Sequence, residues 1–344
     1  IRAWGGDLMQ LAGAAVVKHY RDLAFMGFLE VARNLPTILR NLKFCKEDIL
    51  AFKPDVLILV DYPGFNLRIA KWAKEQGIKV IYYISPTVWA WKESRVKLIR
   101  NVVDRMMVIL PFESEFYATR WDYKVEYVGH PLVQAVNDFQ EQNKKVLSYT
   151  KPVIALLPGS RKQEIAAKLP IMLEATKAFP QYQFVVAKAS SLDDNYYQPF
   201  LTNYPSVESV RNETYALLSI STAALVTSGT ATLETALFGV PEVVCYKTST
   251  ISYEIAKRLV NIRYISLVNL IMNKPVVTEL IQNDLNEKNL TRELDSILHN
   301  PTKQQQIKRE YEELRQILQQ GGNASEKAAK HVYEFVQSFT SASV

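Results

Sequence analysis

The sequence predicts an α/β protein of two similar halves facing a cleft, and three observations predict it. Short apolar runs bounded by turn residues alternate with helix-period stretches, the pattern of mainly parallel sheets. That alternation occurs twice, on either side of a polar stretch at 137–150. The chain, at 344 residues, also exceeds the length at which one hydrophobic core usually stops growing, and 48% apolar residues suffice to fill two.

The elements follow in order. Residues 1–7 read as the end of a strand running into the Gly5-Gly6 turn, which leads us to expect that the first βα unit is missing from this chain. Val56 to Val60 reads as a buried strand, followed by an Asp61-Tyr62-Pro63-Gly64 turn, a helix over 67–76 and a strand at Val80 to Ile84. Arg105 to Leu110 and Val125 to Val128 continue the first half, taken as 1–148. The second half, 149–322, opens with Val153 to Leu157, then a helix at about 163–178 and strands at Phe184 to Ala187 and Ala223 to Thr227. Helix-period sequence runs from about 302 to 319, breaks at Gly321-Gly322, and resumes; the last segment, 324–344, is expected to cross back onto the first half.

Bulk properties exclude several classes. The longest apolar runs, such as Met106 to Leu110, fall far short of the roughly 18 residues of a membrane span. The N-terminus carries no signal-peptide pattern, and Cys45 and Cys245 are too few and too distant for a disulfide framework, so a reducing cytoplasmic location is expected. Four histidines, none at i, i+4 spacing, argue against a histidine-built metal site. The net charge of +6 favours anionic partners without choosing among them.

Two strand-to-helix junctions carry chemistry. Gly159, Ser160 and Arg161 follow the apolar run 153–157, where glycine lets backbone N–H groups approach an anion and Arg161 adds a planar charged fork. Ser228, Gly229 and Thr230 follow the run 223–227 and open another helix, with Glu234 one turn in. A plain turn and an ordinary capped helix are the competing readings. Together the loops point to a nucleotide diphosphate, and neither has the spacing of a P-loop or a dinucleotide fingerprint.

These loops belong to an ordered set. It contains Met26-Gly27-Phe28-x-Glu30-Val31, Asp61-x-Pro63-x-Phe65-Asn66, Ser85-Pro86-x-Val88-Trp89-Ala90-Trp91, Pro111-Phe112-Glu113, Gly129-His130-Pro131, Pro158-Gly159-Ser160-Arg161-x-x-Glu164, Ser228-Gly229-Thr230-Ala231-Thr232-Leu233-Glu234 and Ser266-Leu267-x-Asn269-Leu270. Over nearly its whole length the chain resembles the lipid A disaccharide synthase family. The resemblance implies a glycosyltransferase of GT-B type with two Rossmann-like domains, an acceptor- and membrane-facing one at 1–148 and a UDP-sugar-binding one at 149–322. It implies a metal-independent, inverting transfer from UDP-2,3-diacylglucosamine to 2,3-diacylglucosamine 1-phosphate, with no cofactor, and allows a homodimer with exchanged C-terminal domains. Asp61 matches the family's candidate base. Gly159, Ser160, Arg161, Ser228, Gly229, Thr230 and Asn269 fall to the UDP, Glu164 and Glu234 to ribose or neighbouring loops, and Asn66, Ser85 and His130 to the acceptor or sugar. The family's opening Gly-Glu-x-Ser-Gly-Asp loop is absent, Gly64 stands where an acidic residue is often found, and Val268 replaces a common proline.

Acylated substrates would have to be drawn from a bilayer. Between Phe25 and Phe44, Phe25, Met26, Phe28 and further aliphatic residues are interleaved with Arg33, Arg40 and Lys43, and Trp89 and Trp91 precede Lys92 and Arg95. Both mixtures suit contact with an anionic membrane surface, here the inner face of the bacterial inner membrane. The competing readings are an ordinary core-plus-solvent helix, another UDP-sugar enzyme such as a UDP-N-acetylglucosamine epimerase or a lipid-linked transferase, and a non-catalytic lipid- or nucleic-acid-binding protein. Dispersed basic residues and the lack of any recognised motif speak against nucleic acid.

Overall fold

A computed structural model of the chain describes residues 1–20, 35–142, 147–260 and 262–340. It divides into two compact units: Ile1–Pro86, Ser94–Met107 and the segment from Val332 form one, and Thr87–Glu93 with Val108–His331 the other.

In the first unit, β1 (Arg2–Gly5) and β2 (Ala15–His19) pair in parallel on either side of α1 (Asp7–Leu11). The opening residues are therefore a strand that enters a glycine turn, as their sequence suggested. After α2 (Leu35–Phe52) come β3 (Val56–Val60), α3 (Pro63–Glu75), β4 (Lys79–Tyr83), α4 (Arg95–Val102) and β5 (Arg105–Val108). β3, β4 and β5 are parallel neighbours, with Val56 opposite Lys79 and Ile81 opposite Arg105.

Two expectations need correction here. α3 begins at Pro63, inside the predicted turn, because proline's fixed φ suits the first helical position and its missing N–H costs nothing there. β3 is not uniformly buried: Leu59 is 6% exposed, but Ile58 and Val60 are 43% and 49% exposed. β3 is the edge strand of its sheet, and alternate residues of a strand face opposite sides.

The second unit holds α5 (Pro111–Trp121), β6 (Glu126–Tyr127), α6 (Pro131–Glu141), β7 (Val153–Leu157), α7 (Lys162–Thr176), β8 (Gln183–Lys188), α8 (Asp194–Leu201), β9 (Glu208–Arg211), α9 (Thr214–Ser219), β10 (Ser221–Thr227) and α10 (Thr230–Leu237). It continues through β11 (Glu242–Tyr246), α11 (Thr250–Leu259), α12 (Leu267–Met272), β12 (Thr278–Ile281), α13 (Glu287–His299), α14 (Pro301–Gln319) and the start of α15 (Ala324–Thr340). Six parallel strands lie in the order β12-β11-β10-β7-β8-β9. Every residue of β7 is buried, because its side chains alternate between two cores: Ile154 and Leu156 join one cluster, Val153, Ala155 and Leu157 the other.

The chain winds outward from β7 through β8 and β9, then returns to the opposite side of β7 with β10. The reversal makes the carboxyl ends of β7 and β10 a topological switch point, the place where open α/β sheets leave a crevice for ligands.

A second backbone feature fixes this unit. Gly129, at φ +92°, lies against Gly321 so closely that a Cβ built on Gly321 would sit 2.3 Å from the Gly129 Cα. Neither position has room for a side chain.

Candidate functional site

At the switch point, Leu157 of β7 is in register with Val226 of β10, so the two loops predicted to bind phosphate leave the sheet side by side. Gly159 adopts φ +116° and Gly229 φ +145°, conformations that L side chains rarely take. α7 and α10 both start without a side-chain cap, α7 after Arg161 and α10 after Gly229. Uncapped N-termini keep backbone N–H groups for an incoming anion. Arg161 Nη1 donates to Glu164 Oε1 at 3.0 Å, and that same carboxylate packs where a Gly159 Cβ would have to go, 2.5 Å from Oε2. Glu164 thus sets the position of Arg161 across the loop.

The second loop is braced from behind. Ser228 Oγ donates to the Ile265 carbonyl at 2.8 Å, and Thr232 Oγ1 donates to the Gly229 carbonyl at 2.8 Å. Glu234 accepts from the Tyr215 hydroxyl at 2.9 Å; burial raises the pKa of its carboxyl, and that hydrogen bond partly offsets the rise.

Asn269 does not stand in the crevice. It is 1% exposed, its Oδ1 accepts from Val277 N, and its Nδ2 donates to Val277 O and to Glu279 Oε1. With its amide spent inside the fold, it orders the chain that Ser228 leans on. Glu279 completes this brace by accepting from the backbone N–H groups of Ile265 and Ser266 and from the Ser266 hydroxyl.

Two residues of this assembly went unnoticed in the sequence, Glu279 and Lys168. Lys168 is 2% exposed, and its ammonium donates to Thr227 Oγ1, the last residue of β10 before the second loop. Helical side chains point back toward the helix N-terminus, which carries this one from the second turn of α7 toward the carboxyl edge of the sheet. Among the described residues no carboxylate lies within ion-pair distance of it; burial lowers its pKa, and the field of Glu164 acts in the opposite sense. The signal was available: Lys168 interrupts an apolar stripe formed by Ile165, Leu169 and Met172. Glu279 offers no comparable signal, since a glutamate in a short strand reads as solvent-facing.

In the first unit, Asp61 stands directly after β3. It and Tyr62 both take left-handed conformations, at φ 45° and 46°, and Ile84 after β4 takes φ 65°. The turn is held by its backbone: Asp61 N donates to Tyr83 O at 2.9 Å, and the Asp61 carbonyl accepts from Asn66 Nδ2 at 2.8 Å and from the Tyr82 hydroxyl at 2.5 Å. Asn66 therefore has a holding part. The Asp61 side chain stays on an exposed residue, yet loss of water around the carboxyl raises its pKa, opposed by a hydrogen bond from Tyr62 N–H. A raised carboxylate pKa improves a general base. Ser85 is buried and donates to Pro86 O at 2.9 Å.

The remaining candidates separate clearly. His130, 3% exposed, caps α6 by accepting from Leu132 N at 3.2 Å through Nδ1; burial lowers its pKa to about 4, so it is neutral near pH 7 with its proton on Nε2. Trp89 donates its indole N–H to Glu113 Oε1 at 3.1 Å and packs edge-on against Phe112, a structural placement. Burial pushes Glu113 up to about 7. Trp91 instead reaches the surface, with Lys92 Nζ 4.5 Å from its ring centroid. Arg95 is half-buried at the start of α4. Phe25, Met26 and Phe28 lie outside the described residues.

Comparison with known proteins identifies the family and the fold. A family model described as lipid-A-disaccharide synthetase matches residues 3–333. The lipid-A-disaccharide synthase of Syntrophus aciditrophicus is 40% identical over 335 residues, covering 94% of this chain and 87% of that protein. Among solved structures, a UDP-GlcNAc 2-epimerase from Neisseria meningitidis, bound to UDP-GlcNAc, has a TM-score of 0.65 at 15% identity and covers 95% of this chain and 88% of its own. A glycosyltransferase of kitacinnamycin has a TM-score of 0.63 at 14% identity, covering 96% and 90%. Identities this low speak for fold alone, and the fold they share is GT-B.

Proposed function

Because the chain belongs to the lipid-A-disaccharide synthase family, we propose that it transfers a diacylglucosamine unit from UDP-2,3-diacylglucosamine to 2,3-diacylglucosamine 1-phosphate. The 6-hydroxyl oxygen of the acceptor attacks the anomeric carbon of the donor. The bond from that carbon to the diphosphate oxygen breaks, UDP departs with the electron pair, and Asp61 takes the hydroxyl proton. Such a transfer needs a base at the attacking oxygen and positive potential at the leaving group.

The observation that carries this reading is the pair of uncapped loop-to-helix junctions at the β7/β10 switch point, with Arg161 on one and the ammonium of Lys168 beneath the other. We assign the charge of the departing diphosphate to these groups, without a metal. His130, neutral and buried, serves as a hydrogen-bond donor through Nε2 to sugar or acceptor. Asn269 acts through Glu279 and the loop at Ile265, and not by touching the nucleotide.

No described helix is long and apolar enough to cross a membrane. We assign the acylated substrates to a peripheral encounter with an anionic bilayer at the cytoplasmic face. Trp91 with Lys92 supports this, as does α2, which exposes Leu35, Leu39 and Phe44 beside Arg40 and Lys43.

Incubation of the protein with radiolabelled acceptor and UDP-diacylglucosamine tests the reading. Free UDP and a β-1,6 disaccharide are expected, in equal yield with and without EDTA. Recovery of an isomerised UDP-sugar with no disaccharide would overturn it.

A further inference from the structure

α11 carries its apolar side chains outward. None of its ten residues is buried, and Ile251, Ile255 and Leu259 are 76%, 53% and 59% exposed. Their i, i+4, i+8 spacing, at about 100° per residue, gathers them into one stripe. Tyr253, Ala256 and Val260 are half-buried and project to the other side. The helix thus half-buries Tyr253, Ala256 and Val260 and shows water its largest aliphatics, the reverse of a surface helix packed on a core.

The stripe has a charged frame. From Lys247 to Arg263 the sequence holds four cations, Lys247, Lys257, Arg258 and Arg263, against the single carboxylate of Glu254. Lys257 and Arg258 close the last turn, where the helix dipole favours cations, and Arg258 borders the stripe on the helix surface. An exposed aliphatic stripe edged by lysine and arginine suits a surface that is apolar within and anionic at its rim. The helix also leaves the sheet shortly after Tyr246, the end of β11, at the same carboxyl edge as the two phosphate loops.

We propose that α11 is a bilayer-docking helix of the nucleotide-binding unit, inserting Ile251, Ile255 and Leu259 among acyl chains while its cations meet anionic headgroups. The proposal rests on the reading that the substrates are acylated, and it adds a contact surface to the unit that holds the water-soluble part of the donor. α11 lies in the plane of the interface and holds that unit's carboxyl edge toward the membrane.

Vesicle flotation tests it, with phosphatidylcholine vesicles and with mixed phosphatidylcholine–phosphatidylglycerol vesicles. The wild-type chain is expected to float with the mixed vesicles. Ile251→Ser/Ile255→Ser/Leu259→Ser is expected to lower the partition coefficient by roughly tenfold or more, and Lys257→Glu/Arg258→Glu to remove most of the preference for anionic lipid. Both variants should bind UDP as the wild type does, which shows that they fold. A triple-serine variant that folds and floats undiminished overturns the proposal while leaving the acylated-substrate reading intact. A variant that floats undiminished but changes oligomeric state on size exclusion assigns the stripe to a second copy and overturns it equally. If the wild-type chain fails to float at all, the peripheral-membrane reading falls with it.

Discussion

The strand ends that carry the candidate chemistry turn in opposite ways in the two units, although β9 and β12 at the outer edges of the second sheet also run into left-handed non-glycine residues, Asn212 and Gln282. After β7 and β10 the chain turns on Gly159 and Gly229, which reach positive φ without a steric penalty; after β3 and β4 it turns on Asp61, Tyr62 and Ile84, which do not. A left-handed non-glycine residue costs on the order of 1 kcal/mol or more. Under the proposed mechanism the difference has a rationale. Backbone N–H groups suffice to hold an anion, so glycine would serve the second unit. A proton acceptor requires a side chain, so the turn at Asp61 would keep its strain for the sake of the carboxylate it carries.

The sharpest way to break this comparison is to remove the carboxylate. Asp61→Ala should lower kcat by about 10²- to 10⁴-fold while leaving the UDP dissociation constant unchanged by calorimetry. Equal loss of both would deny the division of labour. The pH profile separates the units in the same sense. A base works ionised, and the Asp61 pKa is raised by burial, so kcat/KM should fall as pH drops through a limb above the ordinary aspartate range, roughly tenfold per unit below it. UDP binding through Arg161 should show no such limb.

Alanine at the two glycines probes the other half. Gly159→Ala should weaken UDP by about 1–3 kcal/mol, since its Cβ is strained by φ and also meets the Glu164 carboxylate that positions Arg161. Gly229→Ala meets nothing within 4 Å and should suffer only the conformational part. Identical effects would mean that Glu164 has no positioning role. Lys168→Met comes next, with UDP affinity lowered about tenfold and uridine affinity unchanged, the signature of a lost charge–diphosphate attraction. The smallest effect has the opposite sign. Asp61→Gly should raise unfolding free energy by ~0.5–1 kcal/mol in urea while activity stays lost, because glycine relieves the left-handed strain at the cost of some chain entropy.

Much of the fold was legible because it is written in long apolar runs. β7 was predicted over its observed range, and the break at Gly321-Gly322 falls between two observed helices. β2, β9, β11 and β12 went unpredicted: Glu208–Arg211 and Thr278–Ile281 mix polar and apolar residues and take their strand character from neighbours in the sheet, whereas Glu242–Tyr246 is a short apolar run that was passed over. The two loops were legible from glycine, hydroxyl and strand in sequence. The adjacency of β7 and β10 was not, since strand order is a long-range property. Asn269 shows the limit from the other side: a motif marks its position, but only three hydrogen bonds show that it holds other residues in place.

The close approach of Gly129 to Gly321 sets a rule for anyone rebuilding this molecule. Two stretches nearly two hundred positions apart in the sequence touch main chain to main chain, with no atoms to spare between them. A purification tag, a loop insertion or a permuted terminus placed at either one would wedge the crossing apart, whereas neighbouring turns with open space around them, such as the one at Gly239, leave a graft room to swing clear.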